Sequence, residues 1–180
     1  MVLKGEASEA LLDSYEAERR PVGLLTVGQA YTRYVRRVTP EEVDENTPAL
    51  RDELTMELGQ FYPSGAVVGG RAEDQPACLH PDETRGAPGS RVPYAWLTEA
   101  VSTIDCAKDG FALLRGPDGG QWDDRRFATW TVPHEALHRF GIGPTGAMLV
   151  RPDGFVAARV EDQTDSFTVL NCLLAQVTGR

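Results

Sequence analysis

Gly146-Ala147-Met148-Leu149-Val150-Arg151-Pro152-Asp153-Gly154-Phe155-Val156-Ala157-Ala158-Arg159 reads as a β-hairpin. Ala147 to Val150 is an apolar run short enough for a buried strand, and Phe155 to Val160 is a second. Between them Pro152 presets φ for a turn, Asp153 can bond its own backbone, and Gly154 accepts positive φ without a Cβ clash. A short helix over Pro133 to Phe140 precedes the hairpin, and a longer one from Ser166 to Val177 follows it. A helix, two antiparallel strands and a closing helix form the second half of a thioredoxin-like layer. The fold expected is α+β, with helices covering a mostly antiparallel sheet.

Working outward, the spacing places earlier strands at Tyr94 to Leu97, Phe111 to Leu114 and Phe127 to Val132. Between Leu114 and Phe127 a thioredoxin fold carries a full helix, but Gly116 to Asp124 can hold barely one turn. That helix bears the redox cysteines of true thioredoxins, and no Cys is near it here, which argues against thiol–disulfide chemistry. From Gly69 to Ser90 the chain is rich in Gly, Pro, Asp and Glu, the pattern of a long loop. Upstream, Phe61 to Val68 reads as a strand broken by Pro63 and Gly65, and a helix over 49–58 ends at Gly59. Residues 5–20 read as a helix capped by Ser8, which Pro21 ends or restarts. A second helix over 22–38 carries Leu24, Leu25, Val27, Tyr31, Tyr34, Val35 and Val38 at near-helical spacing, with Arg33, Arg36 and Arg37 on a basic face. Thr39-Pro40-Glu41-Glu42 then has the form of a cap, with acids in the first turn.

Three ordered stretches carry a family resemblance. GAMLVRPDGFVAAR (146–159) resembles the last hairpin of the FAD-dependent aromatic hydroxylases, the single-component flavoprotein monooxygenases of the phenol- and polyketide-hydroxylase type. LLDSYEAERRPVG (11–23) is similar to the helix that closes their flavin and substrate regions. PGSRVPYAWL (88–97) is similar to the start of their C-terminal thioredoxin-like domain. The resemblance implies a helical segment at 1–66, a linker at 67–87 and a degenerate thioredoxin-like domain at 88–180. It implies FAD as the cofactor of the parent family, and a last domain devoted to packing and subunit contacts. Met1 to Glu6 enters the resembled pattern partway along a helix, as an excised fragment or a truncated gene product would.

Composition narrows the classes. Over 180 residues, 27 acidic against 18 basic side chains give a formal net charge of −9, which disfavours nucleic acid. No apolar run approaches the ~20 residues of a membrane span, and no signal-peptide pattern opens the chain, so a cytoplasmic protein is expected. The 3 Cys (Cys78, Cys106 and Cys172) are widely spaced with no CxxC, the pattern of reduced thiols. Cys106, two residues before Lys108, reads as a structural thiol, and Trp96, Trp122 and Trp130 as core aromatics.

His134-Glu135-Ala136-Leu137-His138 matches H-E-x-x-H, which on a helix presents two His on one face for Zn²⁺, with Glu as base. The third ligand is missing, since Pro144 stands where the longer signature has a His. The plainer reading is a surface helix with Leu137 and Phe140 packed inward. Glu18-Arg19-Arg20 reads as an ion-paired helix end rather than an anion clamp. No G-x-G-x-x-G follows a strand, and the family's Asp-Gly and Gly-Asp flavin signatures lie upstream of anything present. No catalytic and no cofactor-binding residue therefore carries over.

The leading expectation is a structural or assembly part of a flavin monooxygenase that lacks the flavin-binding half and binds no cofactor alone. Its partner would be an N-terminal flavin domain or a second copy. The apolar helix face of Leu24, Leu25, Tyr31 and Val35 would be covered by packing onto the thioredoxin-like domain or by self-association. A stand-alone cofactor-free enzyme or binder of a polycyclic substrate would need a pocket lined by Tyr31, Tyr34, Phe61 or Tyr62. A small zinc protein would use His134, Glu135 and His138.

Overall fold

A computed structural model describes residues 2–5, 7–69, 77–162 and 166–179. It is an α+β structure built on a four-stranded mixed sheet: β1 (Ala112–Arg115), β2 (Ala128–Thr131), β3 (Ala147–Val150) and β4 (Val156–Val160), in the order β2-β1-β3-β4. β1 and β2 are parallel, and the other neighbours are antiparallel. Alternation along these strands sorts their side chains between two cores. Ala112, Leu114, Met148, Val150 and Val156 face one way, onto Val132, Leu137 and Phe140. Leu113, Ala147, Leu149 and Ala158 face the other way, onto Trp122, Leu170 and Val177.

The hairpin forms as its sequence dictates. Gly154 lies at φ 81°, and its N–H donates to the Arg151 carbonyl at 2.9 Å, closing the turn. The pairing then slips by one residue, from Leu149 opposite Ala158 to Val150 opposite Val156. This bulge at Ala157 puts neighbouring alanines on the same core face. The outer edge of β4 is covered rather than open: Gly89 and Val68 donate to the Val156 and Ala157 carbonyls at 2.8 and 2.7 Å.

The helices are α1 (Ala10–Val38), α2 (Glu53–Leu58), α3 (Pro81–Thr84), α4 (Leu137–Phe140) and α5 (Ser166–Thr178), and α4 and α5 pack on opposite faces of the sheet. The helices expected at 5–20 and 22–38 are one, because Pro21 interrupts α1 without ending it. A proline removes one hydrogen bond and crowds the preceding turn. Tertiary bonds from Glu18 and Arg19 before it, and from Gln29 after it, fasten both sides to the rest of the chain. Ser8 is not the cap. Glu9 precedes the helix, and among the described residues no side chain caps it and the buried Ser8 Oγ has no partner.

The helix expected over 49–58 begins only at Glu53, where Asp52 accepts a hydrogen bond from the Thr55 N–H at 2.8 Å. Its end at Gly59 is as expected. Phe61 to Val68 and Tyr94 to Leu97 form isolated bridges, not strands, since Pro63 and Pro93 break the ladder that alternation alone would allow. The stretch over 133–140 divides into a 3₁₀ turn, His134–Ala136, and the single turn of α4. Between β1 and β2 stands only the 3₁₀ turn Gly120–Trp122. Of the loop read over 69–90, residues 70–76 lie outside the described ones, and the remainder holds α3.

Candidate functional site

The hairpin turn is the meeting point of the molecule. On one side Arg151 reaches α1 and forms a two-pronged bond with Glu18, Nη1 to Oε1 at 2.6 Å and Nη2 to Oε2 at 2.9 Å. Both side chains are enclosed, 5% exposed for Glu18 and 12% for Arg151. Ser64 donates a further hydrogen bond to Glu18, and Asp153 takes the second edge of Arg151 at 2.7 Å. Burial pulls the Arg151 guanidinium down, but the Glu18 hydrogen bond and the neighbouring charges of Asp153 and Glu18 outweigh it, so the group is held above its ordinary value.

An aromatic stack extends this joint. The Tyr62 ring lies on Phe155, centroids 3.9 Å apart, and its hydroxyl accepts from Arg19 Nη1. Arg91 covers the Phe155 ring at 5.0 Å. The reading of Glu18-Arg19-Arg20 as an ion-paired helix end is corrected in part. Glu18 pairs with the distant Arg151 and Arg20 with Glu16. Arg19 instead meets the neutral Tyr62 hydroxyl, and α1 continues past all three. No local signal connects Glu18 to Arg151, because the pairing exists only after the turn folds against α1.

On its other side, Pro152, Asp153 and Gly154 line a cavity of about 850 Å³, together with residues of α3 and α4 and the segment 91–94. A wider cavity of about 1150 Å³ lies beside the edge strand β2, lined in part by Trp130 and Cys106. Desolvation pushes the buried Cys106 thiol up to about 11, and its Sγ lies 3.2 Å from the Thr103 carbonyl. It is therefore a protonated structural group at neutral pH. Trp122 is a core residue and Trp130 half-buried, but Trp96 is 57% exposed and lies outside the core.

The aromatic quartet is not brought together. Tyr31 and Tyr34 stand on the outer side of α1, 64% and 56% exposed, whereas Phe61 and Tyr62 are buried at the joint. None of the four lines either cavity. His134, Glu135 and His138 are exposed, while Ala136, Leu137 and Phe140 pack inward. The 3₁₀ segment also breaks the regular α-helical register that the zinc pattern presumes. Among the described residues, no group of three or more His, Cys, Asp or Glu is placed to hold a metal ion.

The glycine-rich turn after β1 has four of its backbone donors committed internally. The N–H groups of Gly116, Asp118, Gly119 and Trp122 donate to the carbonyls of Gly146, Pro144, Gly116 and Gly119. Such a turn does not present a row of open donors to an incoming phosphate.

α1 inverts the usual pattern of a surface helix. Its buried positions are Glu18, Gln29, Thr32 and Val35, while Leu24, Val27, Tyr31, Tyr34 and Val38 are exposed. The exposed set recurs at alternating steps of three and four, a continuous seam along one side. The face expected from Leu24, Leu25, Tyr31 and Val35 is corrected accordingly: Val35 turns inward and Leu25 is half-covered. Gln29 explains the inversion, since its amide bonds both the Ala49 carbonyl and the Arg51 N–H, at 3.0 and 2.8 Å.

Residues 85–180 match the family model described as aromatic-ring hydroxylase, C-terminal. A 4-methyl-5-nitrocatechol 5-monooxygenase of a Burkholderia species is 42% identical over 90% of this chain. A tetracenomycin B2 monooxygenase-dioxygenase of Streptomyces olivaceus is 40% identical over 99% of it. Among solved structures, aklavinone-11 hydroxylase in ternary complex with FAD and aklavinone superposes with a TM-score of 0.88 at 30% identity, covering 99% of this chain. The chain spans only 34%, 36% and 37% of these three proteins.

Proposed function

The chain belongs to the family of aromatic-ring hydroxylase C-terminal domains, and we propose that it serves as the structural and assembly part of an FAD-dependent aromatic or polyketide monooxygenase. The observation that carries this reading is the outward apolar seam of α1, Leu24, Val27, Tyr31, Tyr34 and Val38, on a helix whose inner face is already satisfied. An apolar stripe of that length is rarely left in water. Its natural cover is the flavin-bearing part that the longer relatives possess, and a second copy of the chain takes that place when the chain is alone. When bound, FAD would supply the oxygen-transfer chemistry, and this chain would supply a rigid surface to brace the flavin-bearing part.

The residues present do not fit FAD by themselves. The turn after β1 opens a 3₁₀ turn of 3 residues rather than a helix, and the N–H groups of Gly116, Asp118, Gly119 and Trp122 are engaged, which supports the reading that the chain alone binds none. The strand order β2-β1-β3-β4, with one parallel pair and a terminal hairpin, supports a thioredoxin-like description of the sheet. Burial of Cys106 supports a version without redox function. Among the described residues no helix is long and apolar enough to cross a membrane. A cytoplasmic location is part of the proposal.

Two measurements test it. Flavin emission should stay unchanged when the chain is titrated into micromolar FAD, and saturable quenching would contradict the reading. Light scattering should show self-association that Val27→Glu and Tyr31→Glu abolish together. A wild-type monomer would remove the seam as the basis of the proposal.

A further inference from the structure

The cavity of about 850 Å³ beside the hairpin turn has a volume suited to a small organic ligand. Its charges are unevenly matched. Arg85, Arg91 and Arg139 all line it. Of its two lining carboxylates, Asp153 is engaged by Arg151 at 2.7 Å, and the Asp82 side chain is turned to solvent. Neither Arg85 nor Arg91 has a carboxylate partner among the described residues. Arg139 gives one nitrogen to the Tyr94 carbonyl at 2.6 Å.

The Arg91 side chain is braced by an aromatic ring, and the backbone that carries Arg85 is fixed. Arg91 lies over the Phe155 ring, and its Nε is sealed from water without a hydrogen-bond partner among the described residues. Arg85 sits at φ 43°, in the left-handed region, and its carbonyl accepts from Arg159 Nη1 at 2.9 Å. A non-glycine residue occupies that region only where its surroundings enforce it. The wall between the cations is apolar: Leu58, Val92, Pro93, Tyr94, Ile104 and Pro152. Tyr94 and Ile104 in this wall stay exposed.

We propose that this cavity is a binding site for a planar organic carboxylate, an apolar ring system bearing one acid group. Val92, Pro93, Tyr94 and Ile104 cover the ring, and Arg85 and Arg91 take the acid. Guanidinium forks match a carboxylate with paired hydrogen bonds. The apolar wall selects against inorganic anions, which have nothing to bury there. The chain's net charge of −9 makes a general attraction for anions the wrong explanation, so the recognition must be local.

The test is calorimetric titration of the 180-residue chain with 2-naphthoate, with 2-naphthylmethanol and inorganic phosphate as comparisons. The expected result is saturable one-to-one binding of naphthoate below millimolar concentration, with both comparison compounds weaker by about tenfold or more. Arg85→Gln and Arg91→Gln should each weaken naphthoate by a similar factor. Arg91 also braces Phe155, so the exposed Arg85→Gln, checked for an unchanged unfolding midpoint, separates recognition from folding. No saturation with naphthoate, equal affinity for the alcohol, or undiminished affinity in Arg85→Gln would overturn the assignment.

Discussion

α1 and the sheet are stabilised in opposite ways. The sheet buries apolar side chains on both faces: Leu114, Met148 and Val150 on one, Leu113 and Leu149 on the other. α1 turns Glu18, Gln29 and Thr32 inward and its apolar seam outward. One region is therefore held by area removed from water and the other by directed polar bonds. Apolar burial is non-directional and tolerates repacking, whereas a buried ion pair is either fully matched or costly. The sheet has what a self-sufficient core requires. α1 is fastened by polar contacts and leaves its apolar seam exposed.

The sharpest test of the sheet is Phe140→Ala. Phe140 is fully enclosed in one core, and its removal should cost about 3–5 kcal/mol of unfolding free energy. Urea denaturation followed by tryptophan fluorescence, with Trp96 and Trp130 replaced by Phe so that the buried Trp122 reports alone, reads this directly. A loss below about 1 kcal/mol would mean that the core of α4 is not the anchor it is taken to be.

Arg151→Met tests the other mode, at a cost about equal or somewhat smaller. Removing one member of a buried pair strands the other charge, which costs about 3–5 kcal/mol. The distinguishing feature is where the loss falls. Helical circular dichroism, dominated by the 29 residues of α1, should melt before Trp122 fluorescence changes. Replacing both partners, Glu18→Leu with Arg151→Met, should recover most of the loss, because no charge is then stranded. Coincident transitions in the single variant would make α1 and the sheet one cooperative unit and dissolve the contrast.

What the sequence revealed follows the same division. The hairpin, the closing helix and the near-absence of a helix between β1 and β2 were legible because turn chemistry and strand alternation are local. The family was legible from the three stretches at 11–23, 88–97 and 146–159. The continuity of α1 through Pro21 was not, because the bonds of Glu18, Arg19 and Gln29 that hold both sides down come from distant residues. Periodicity located the apolar residues of α1 but could not say which face met the protein. An apolar stripe ordinarily signals the inward side, and here it is the outward one. The aromatic quartet failed for the same reason: similar residues at Tyr31, Tyr34, Phe61 and Tyr62 fall on two different surfaces. Arg85 and Arg91 carried no motif at all. Only their place together in one cavity wall, visible after folding, sets them apart.

Tyr62→Leu probes the joint more gently. It keeps an apolar side chain but removes the stack on Phe155 and the acceptor for Arg19, a loss of about 1 kcal/mol beyond area. The early helical transition should move in the same direction as in Arg151→Met. If only the fluorescence transition moves, Tyr62 belongs to the sheet core rather than to the joint.

The smallest expected effect concerns acid. Asp52 caps α2, and hydrogen bonds from the Thr55 side chain and backbone N–H hold its carboxyl below the ordinary carboxylate range. A group whose folded value is depressed favours the folded state above its unfolded value, about 3.9 for Asp, and loses that contribution as pH falls through the folded value. The helical region should therefore weaken slightly on acidification across this window, through a contact the apolar sheet lacks. Asp52→Asn keeps a competent cap but cannot titrate there, so its helical transition should be flatter against pH than that of the wild type between pH about 5 and 2. The measurement is the helical melting midpoint across that range for both proteins. Parallel curves would show that the cap does not couple to proton binding, and the contrast between polar-clamped helices and apolar sheet would then rest on Glu18 and Arg151 alone.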